Sequence, residues 1–365
     1  MTEFRIAVLG GDGIGPEVTA AAEDVLTAVG ERFGHRFRFH RLLIGATAVA
    51  AKGDPLPEAT RHGVLDAQAV MLGAVGDPSL DHAPRNLRPE TGLLTLRSLL
   101  GVYANLRPVG VHPVLAGCSP LRPERLVGTD LLIVRELTGG LYYGEPRGRT
   151  ATDAVNTLRY TADEIRRVAV IALQAAQGRR KKVLSVDKAN VLETSQLWRD
   201  VVTEEASNYP DVALEHIYVD YAAMRLISDP SSIDVLLTEN MFGDILSDEA
   251  AVLAGSLGLL PSASLGDGPG LFEPIHGSAP SLAGKDLANP IGAIRSAAML
   301  LRYGLALPEL SEAIHRAVDA ALDAGFRTRD IAAPNGRSVG TAAMTNAIIK
   351  EITAAAPDRT AGVRG

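Results

Sequence analysis

A chain of 365 residues with 46% hydrophobic content is long enough to bury a large core and to form two domains. Its formal net charge of −7, carried by mixed signs, argues against a general nucleic-acid or membrane-surface binder. Its single cysteine, Cys118, excludes an intrachain disulfide and a cysteine-built metal site, and no signal-like or membrane-spanning apolar run is present; a soluble cytoplasmic protein is expected.

Phe4–Leu9 has the pattern of a buried strand and runs into GGDGIGPE. That turn invites a dinucleotide-binding reading. Counted from Gly11, however, the sixth place of G-x-G-x-x-G is Pro16, and the lysine of a phosphate-binding loop is missing. A tight strand-to-helix turn with Pro16 in the first helical turn fits better. A helix over Glu17–Val29 follows, then strands Phe37–Leu43 and Ala69–Leu72 around a helix at Glu58–Asp66. Such alternation predicts an α/β protein with a largely parallel sheet. Gly73–Glu90 is a long polar loop leading into ETGLLTLRSLLG, where Leu93, Leu94 and Arg97 share one turn of an amphipathic helix. These three suit either snorkelling surface or a ligand with one anionic and one greasy end. Arg107 ends YANLRP and Arg135 follows LLIV, so with Arg97 three arginines close buried elements in an acidic chain. A bidentate carboxylate clamp has this composition.

Gly139-Gly140 marks a turn, and Tyr142 and Tyr143 point to opposite faces if they lie on a strand. After a helix at Ala162–Gln177, the basic run Arg179–Lys182 is expected to serve as helix-dipole partner and solvated surface. Three strands then deliver polar groups to their C-terminal ends: Val183–Val186 delivers Asp187, Lys188 and Asn190, Ala213–Val219 delivers Asp220, and Val235–Thr238 delivers Glu239 and Asn240. In open α/β sheets ligands bind at that edge. Asp244 and Asp248 follow, four apart on a helix beginning near Asn240. Their repulsion costs about 0.2–0.5 kcal/mol unless a hard divalent cation, shared with substrate oxygens, reverses it. The alternative is an ordinary acidic first turn favoured by the helix dipole. Ala263–Leu282, rich in glycine, proline and serine, reads as a linker or as a loop whose amides surround an adenine and pyrophosphate. Helices at Ile291–Leu305, Pro308–Ala324 and Gly340–Thr353 close the chain, with Pro357–Gly365 expected to be disordered.

Taken in order, GDGIGPEV, RPETGLLTLR, YANLRP, VRELTGGLYYG, SVDKANVL, YVD, TENMFGDILSDEA and FEPIHGSAP…GKDLANP resemble the metal-dependent β-decarboxylating dehydrogenases of the isocitrate/isopropylmalate dehydrogenase family. ETGLLTLR matches the isopropylmalate branch. The resemblance implies a two-domain fold with a central mixed, largely parallel sheet that is not a Rossmann fold. Residues 1–102 with 256–365 would form the cofactor-side domain, and 103–255 the domain of substrate, metal and dimer contacts. It implies a homodimer with shared active sites, NAD as cofactor with Mg²⁺ or Mn²⁺, and conversion of 3-isopropylmalate to 4-methyl-2-oxopentanoate in leucine biosynthesis. Arg97, Arg107 and Arg135 would hold carboxylates, and Leu93, Leu94 and Val191 from the partner subunit would enclose the isopropyl group. Asp244 and Asp248, with Asp220 from the partner, would bind the metal. Lys188 from the partner would act as base and Tyr142 as acid. Glu90, His276, Gly277, Ser278, Ala279, Ser281 and Asn289 would contact the cofactor. Ser281 departs from the pattern, since NAD users usually carry an aspartate there that grips the adenosine ribose and repels a 2′-phosphate. The alternatives are a sister dehydrogenase of malate, tartrate or homoisocitrate, and a non-catalytic subunit or binding protein on the same fold.

Overall fold

The computed structural model describes residues 2–354, so the tail Pro357–Gly365 lies outside the described residues. Strand β1 (Thr2–Gly11) turns into helix α1 (Gly15–Phe33) with Pro16 near its start, where a missing N–H is no loss. Gly13 has φ of +58°, and a Cβ there would lie 1.9 Å from the Ser278 carbonyl oxygen, so only glycine fits. Strand β2 (His35–Leu42), helices α2 (Gly45–Lys52) and α3 (Glu58–Leu65), and strand β3 (Ala69–Ala74) follow. Helix α2 is not among the expected elements, although its alanines and the left-handed Gly53 that ends it favour a helix. A distant residue starts it: the Asp12 carboxylate accepts from the amides of Ala46 and Thr47, both at 2.9 Å.

Helix α4 (Pro89–Leu100) leads to β4 (Val102–Gly110), the short α5 (Pro123–Leu126) and β5 (Asp130–Glu136). Two-residue strands β6 (Gly148–Arg149) and β7 (Ala154–Val155) form a separate ribbon. A Thr161–Glu164 capping box opens α6 (Ala162–Gln177). Then come β8 (Lys182–Asp187), α7 (Glu193–Ala206), β9 (Ala213–Tyr218), α8 (Val219–Ser228), β10 (Val235–Thr238) and α9 (Asn240–Ala251). Strands β11 (Pro261–Gly266) and β12 (Gly270–Pro274) precede α10 (Ile291–Met299), α11 (Pro308–Asp323) and α12 (Thr341–Ala354).

Ten strands form one sheet in the order β2-β1-β3-β12-β11-β4-β5-β10-β8-β9. Pairings among β2, β1, β3 and β12 and among β5, β10, β8 and β9 are parallel, while β12-β11, β11-β4 and β4-β5 are antiparallel. The expected α/β class with a mixed, largely parallel sheet is therefore correct. Two local expectations are not. The stretch Ala263–Leu282 is no linker: its first half belongs to β11 and β12 in the middle of the sheet. Arg179 and Arg180 are not plain surface either. Arg179 Nε donates to buried Asp234 at 2.9 Å, and Arg180 bonds the carbonyls of Asp130, Ser231 and Ile233, fastening the starts of β5 and β10.

Strand alternation sorts the side chains. Ile6, Val8, Met71, Ala104, Leu106, Leu132, Val134, Val235 and Leu237 point to one face and share a continuous core. On the other face are two separate cores. Ala7, Leu9, Val70 and Leu72 belong to one, and Leu131, Ile133, Leu184 and Leu236 to the other. Between these cores the same face presents Glu273, Ser262, Ser264, Asn105, Arg107 and Arg135. Ser262 lies opposite Glu273, Ser264 opposite Asn105, and Asn105 opposite Arg135. A polar strip thus divides the second face of the sheet.

Candidate active site

The arginines stand on or beside this strip, with Arg107 inside β4 and Arg135 one residue before the end of β5. Arg97, one helical turn beyond Leu93 on α4, donates to Glu273 Oε1 at 2.9 Å. Arg107 donates to Asn105 Oδ1 and Ser247 Oγ, both at 2.7 Å, and lies 3.5 Å from the exposed carboxylate of Asp248. Burial and the nearby Arg135 charge push the Arg107 guanidinium down to about 10. Arg135 donates from Nε and Nη2 to Asn240 Oδ1 at 3.1 and 2.9 Å, and from Nη1 to Asp244 Oδ1. Burial lowers its pKa as well, against the pull of Asp244. Arg97 Nε is buried without a partner among the described residues.

Asp244 completes the cluster. Tyr142 Oη donates to its Oδ2 at 2.8 Å. Burial acts to raise the Asp244 carboxyl, but Arg135, Arg107 and these hydrogen bonds hold it below the ordinary range. Tyr142 is pushed up to about 12 by burial and by Asp244, so it keeps its proton. It does not lie on a strand: Gly140–Tyr142 is a single 3₁₀ turn. The predicted repulsion between Asp244 and Asp248 is answered within the chain by Arg135 and Arg107.

Parallel strands β8, β9 and β10 do bring the second group of residues to one edge. Lys188 Nζ donates to Asp220, which lowers the pKa of that exposed carboxylate, and the Lys188 amide donates to Ser195 Oγ at 3.0 Å. Val191 is 66% exposed nearby in sequence. Asp187 is structural: Arg199 grips it through two bonds of 2.9 Å. Glu239 caps α9 by accepting from the Phe242 amide at 2.7 Å. Among the described residues, no three acidic, histidine or cysteine side chains of one chain stand close enough to hold a metal ion, so Asp220 does not join Asp244 and Asp248 within a single chain.

Beside the GDGIGPE turn a cleft of about 710 Å³ is lined by His276, Gly277, Ala279 and Asn289, with Ile14, Leu257 and Arg329. Asn289 accepts from the Ile291 amide and donates to Asp330, both at 3.0 Å. Burial lowers the His276 pKa, and its Nε2 is a buried atom with no partner among the described residues. Ser278 is buried, and its carbonyl accepts from the Ile14 amide at 2.8 Å, joining the GDGIGPE turn to this loop. Ser281 is exposed on the following 3₁₀ turn, where Lys285 Nζ donates to its carbonyl at 2.7 Å. A Cβ built on Gly76 would lie 3.6 Å from Glu90 Oε1 and 3.7 Å from Ser278 Oγ, so Glu90 and Ser278 face one gap. Leu93 is partly buried against a core, whereas Leu94 is 38% exposed.

Sequence reasoning missed Asn105, Ser247, Glu273 and Asp330. Asn105 was within reach, because it precedes Arg107 by two and a strand shows both on one face. The other three meet their partners only through the folded chain.

A sequence model of the isocitrate/isopropylmalate dehydrogenase family matches residues 5–348. The chain is 55% identical over 366 residues to a 3-isopropylmalate dehydrogenase of Geobacillus kaustophilus, covering 99% of this chain and 98% of the relative. It is 54% identical over 358 residues to one of Thermosynechococcus vestitus, with coverages of 96% and 99%. Among solved structures, the isocitrate dehydrogenase of Methylococcus capsulatus superposes with a TM-score of 0.84 at 34% identity, covering 96% of this chain and 99% of that one.

Proposed function

This chain belongs to the isocitrate/isopropylmalate dehydrogenase family, and on that premise we propose that it oxidatively decarboxylates 3-isopropylmalate to 4-methyl-2-oxopentanoate, reducing NAD, in leucine biosynthesis. The observation that carries the substrate class is the group of buried arginines. Arg97 has Glu273 and Arg135 has Asp244, but Arg107 has only a 3.5 Å approach to an exposed aspartate. A dianionic substrate supplies the missing carboxylate charge. Leu93 and Leu94, beside Arg97, suit an apolar branch and not a small polar acid such as malate or tartrate.

The residues fit both implied groups. Asp244 and Asp248 are hard oxygen donors one turn apart and would hold Mg²⁺ or Mn²⁺ together with the partner subunit's Asp220. The unpartnered His276 Nε2 and the adjoining cleft fit a dinucleotide held by His276, Gly277, Ser278, Ala279 and Asn289, with Ser281 at its ribose and Glu90 towards its nicotinamide end. When bound, the cation stabilises developing negative charge on the substrate oxygens and the NAD accepts a hydride. The chain's own groups do the rest. Arg97, Arg107 and Arg135 orient the carboxylates. The partner subunit's Lys188 accepts the hydroxyl proton, and the partner subunit's Val191 closes the apolar pocket. Tyr142, whose proton is retained up to about 12, donates it to the enolate carbon after CO₂ leaves.

The same reading makes the enzyme a homodimer. It is supported by the exposed apolar side chains Tyr221, Met224, Ile245 and Val252 on and beside the packed helices α8 and α9. The two separate cores on one face of the sheet support a division into 1–102 with 256–365 and 103–255. No described helix is long and apolar enough to cross a membrane, and we place the enzyme in the cytoplasm with its pathway. The test is initial-rate nicotinamide reduction with 3-isopropylmalate and Mg²⁺, with malate, tartrate and isocitrate as comparison substrates. Turnover confined to 3-isopropylmalate is expected. Turnover on another hydroxy acid moves the substrate assignment, and no turnover by the folded dimer refutes the catalytic reading.

A further inference from the structure

Tyr160 has no part in the chemistry above, yet the elements that present Tyr142 and Asp244 meet on it. The Gly139-Gly140 turn packs against its ring. A Cβ on Gly139 would lie 2.5 Å from Tyr160 Cε1, and one on Gly140 2.5 Å from the hydroxyl oxygen. That oxygen accepts from the amide of Asn240, the first residue of α9, at 3.0 Å. Asn240 in turn donates from Nδ2 to the Gly139 carbonyl at 3.1 Å and accepts from Arg135. The hydroxyl also lies 3.3 Å from both Glu136 Oε2 and Glu239 Oε2. Trp198 packs edge-on against the ring, with centroids 5.7 Å apart.

A phenol has one proton to donate, so two ionised carboxylates at equal distance cannot both be satisfied. Three bonds to the oxygen close if one glutamate is a carboxylic acid and donates to it. Glu136 accepts from the Thr138 amide, Thr138 Oγ1 and the Gly139 amide at 2.7, 2.6 and 2.8 Å, which favours its charged form. Glu239 uses Oε1 to cap α9 and turns Oε2 to the phenol. Glu239 is then the acid, donating to Tyr160, which donates to Glu136. Burial, which raises both carboxyls, agrees with one of them holding a proton.

We propose that Tyr160 is a positioning residue for this reaction: with Glu239 as carboxylic acid and Glu136 as carboxylate, it locks the Gly139–Tyr142 turn to the start of α9 and so holds Tyr142 Oη on Asp244. The inference rests on the role of Tyr142 given above. Tyr160→Phe keeps the ring that supports the turn and removes only the lock. We expect kcat to fall about tenfold, with the KM for 3-isopropylmalate changing by less than roughly threefold. In a Tyr142→Phe background the same change is expected to cause no further loss, because residues that act as one unit are not additive. Glu239→Gln is isosteric with the acid and still donates to the phenol, so its kcat is expected to stay within about twofold of the unaltered enzyme. An unchanged kcat for Tyr160→Phe, equal losses in both backgrounds, or a tenfold loss in Glu239→Gln would each overturn the proposal. The last measurement stands on its own if Tyr160→Phe does not fold. Normal turnover by Tyr142→Phe also overturns it, by removing the residue through which Tyr160 acts. Absence of turnover in the unaltered enzyme instead marks failure of the functional reading.

Discussion

Replacing Arg107 with methionine separates the stability of the fold from its affinity for substrate. The guanidinium is 10% exposed, and its fall to about 10 under burial and the Arg135 charge corresponds to roughly 3 kcal/mol against the charged form in the fold. Near neutral pH the group is charged in both states, so the whole of that cost is present, and methionine removes it. The change leaves one buried acceptor, Asn105 Oδ1, without its 2.7 Å donor, worth about 1–3 kcal/mol. Ser247 keeps its 3.1 Å bond to the Asp244 carbonyl, and Asn105 Nδ2 keeps Ser264 at 3.0 Å. The opposing terms nearly cancel, and Tm at fixed protein concentration should move by no more than about 5 °C. Substrate binding has no such compensation. Two charge-assisted bonds to a carboxylate at about 1.5–3 kcal/mol each predict a loss in kcat/KM of roughly a hundredfold to twenty-thousandfold. Thermal unfolding followed by circular dichroism and initial rates on the same sample make the check. A Tm drop beyond about 10 °C would show that the arginine is structural. A loss in kcat/KM below about tenfold would show that no substrate carboxylate meets it.

Ser281→Asp should raise the NAD/NADP ratio of kcat/KM, because a carboxylate there grips the ribose hydroxyl and repels a 2′-phosphate. An unchanged ratio counts against Ser281 standing at the ribose. Asp248→Asn should weaken activation by Mg²⁺ at least about tenfold with little change in Tm, since the side chain is 69% exposed and only 3.5 Å from its one arginine; unaltered Mg²⁺ titration would exclude it as a ligand. Ile245→Glu, at a side chain 60% exposed on α9, should shift the protein to monomer in sedimentation and abolish turnover by withdrawing the partner subunit's Lys188. A fully active dimer would refute that interface.

The residues by themselves determined the types of most elements and the edge on which three strands gather their polar ends. Val183–Val186, Ala213–Val219 and Val235–Thr238 were legible because local apolar runs and their polar ends are short-range properties, and the parallel order β10-β8-β9 places those ends together. The arginines and the aspartate pair stood out for the same reason, whereas Tyr142 was singled out only by the family resemblance. What only tertiary structure decided is partnership. Register across β12, β11, β4 and β5 sets Ser262 opposite Glu273, Ser264 opposite Asn105, and Asn105 opposite Arg135, and no local pattern encodes the register of β11 on β4, strands far apart in sequence. The same strip explains why β11 and β12 passed as a linker. Strands whose inner face is polar carry Ser262 and Ser264 where an apolar alternation would otherwise announce them. Tyr160 lies about 20 residues from the turn it supports and farther from Asn240; an ordinary aromatic in sequence, it becomes the meeting point of two glutamates, a turn and the start of α9 only when the sheet brings β5 and β10 side by side.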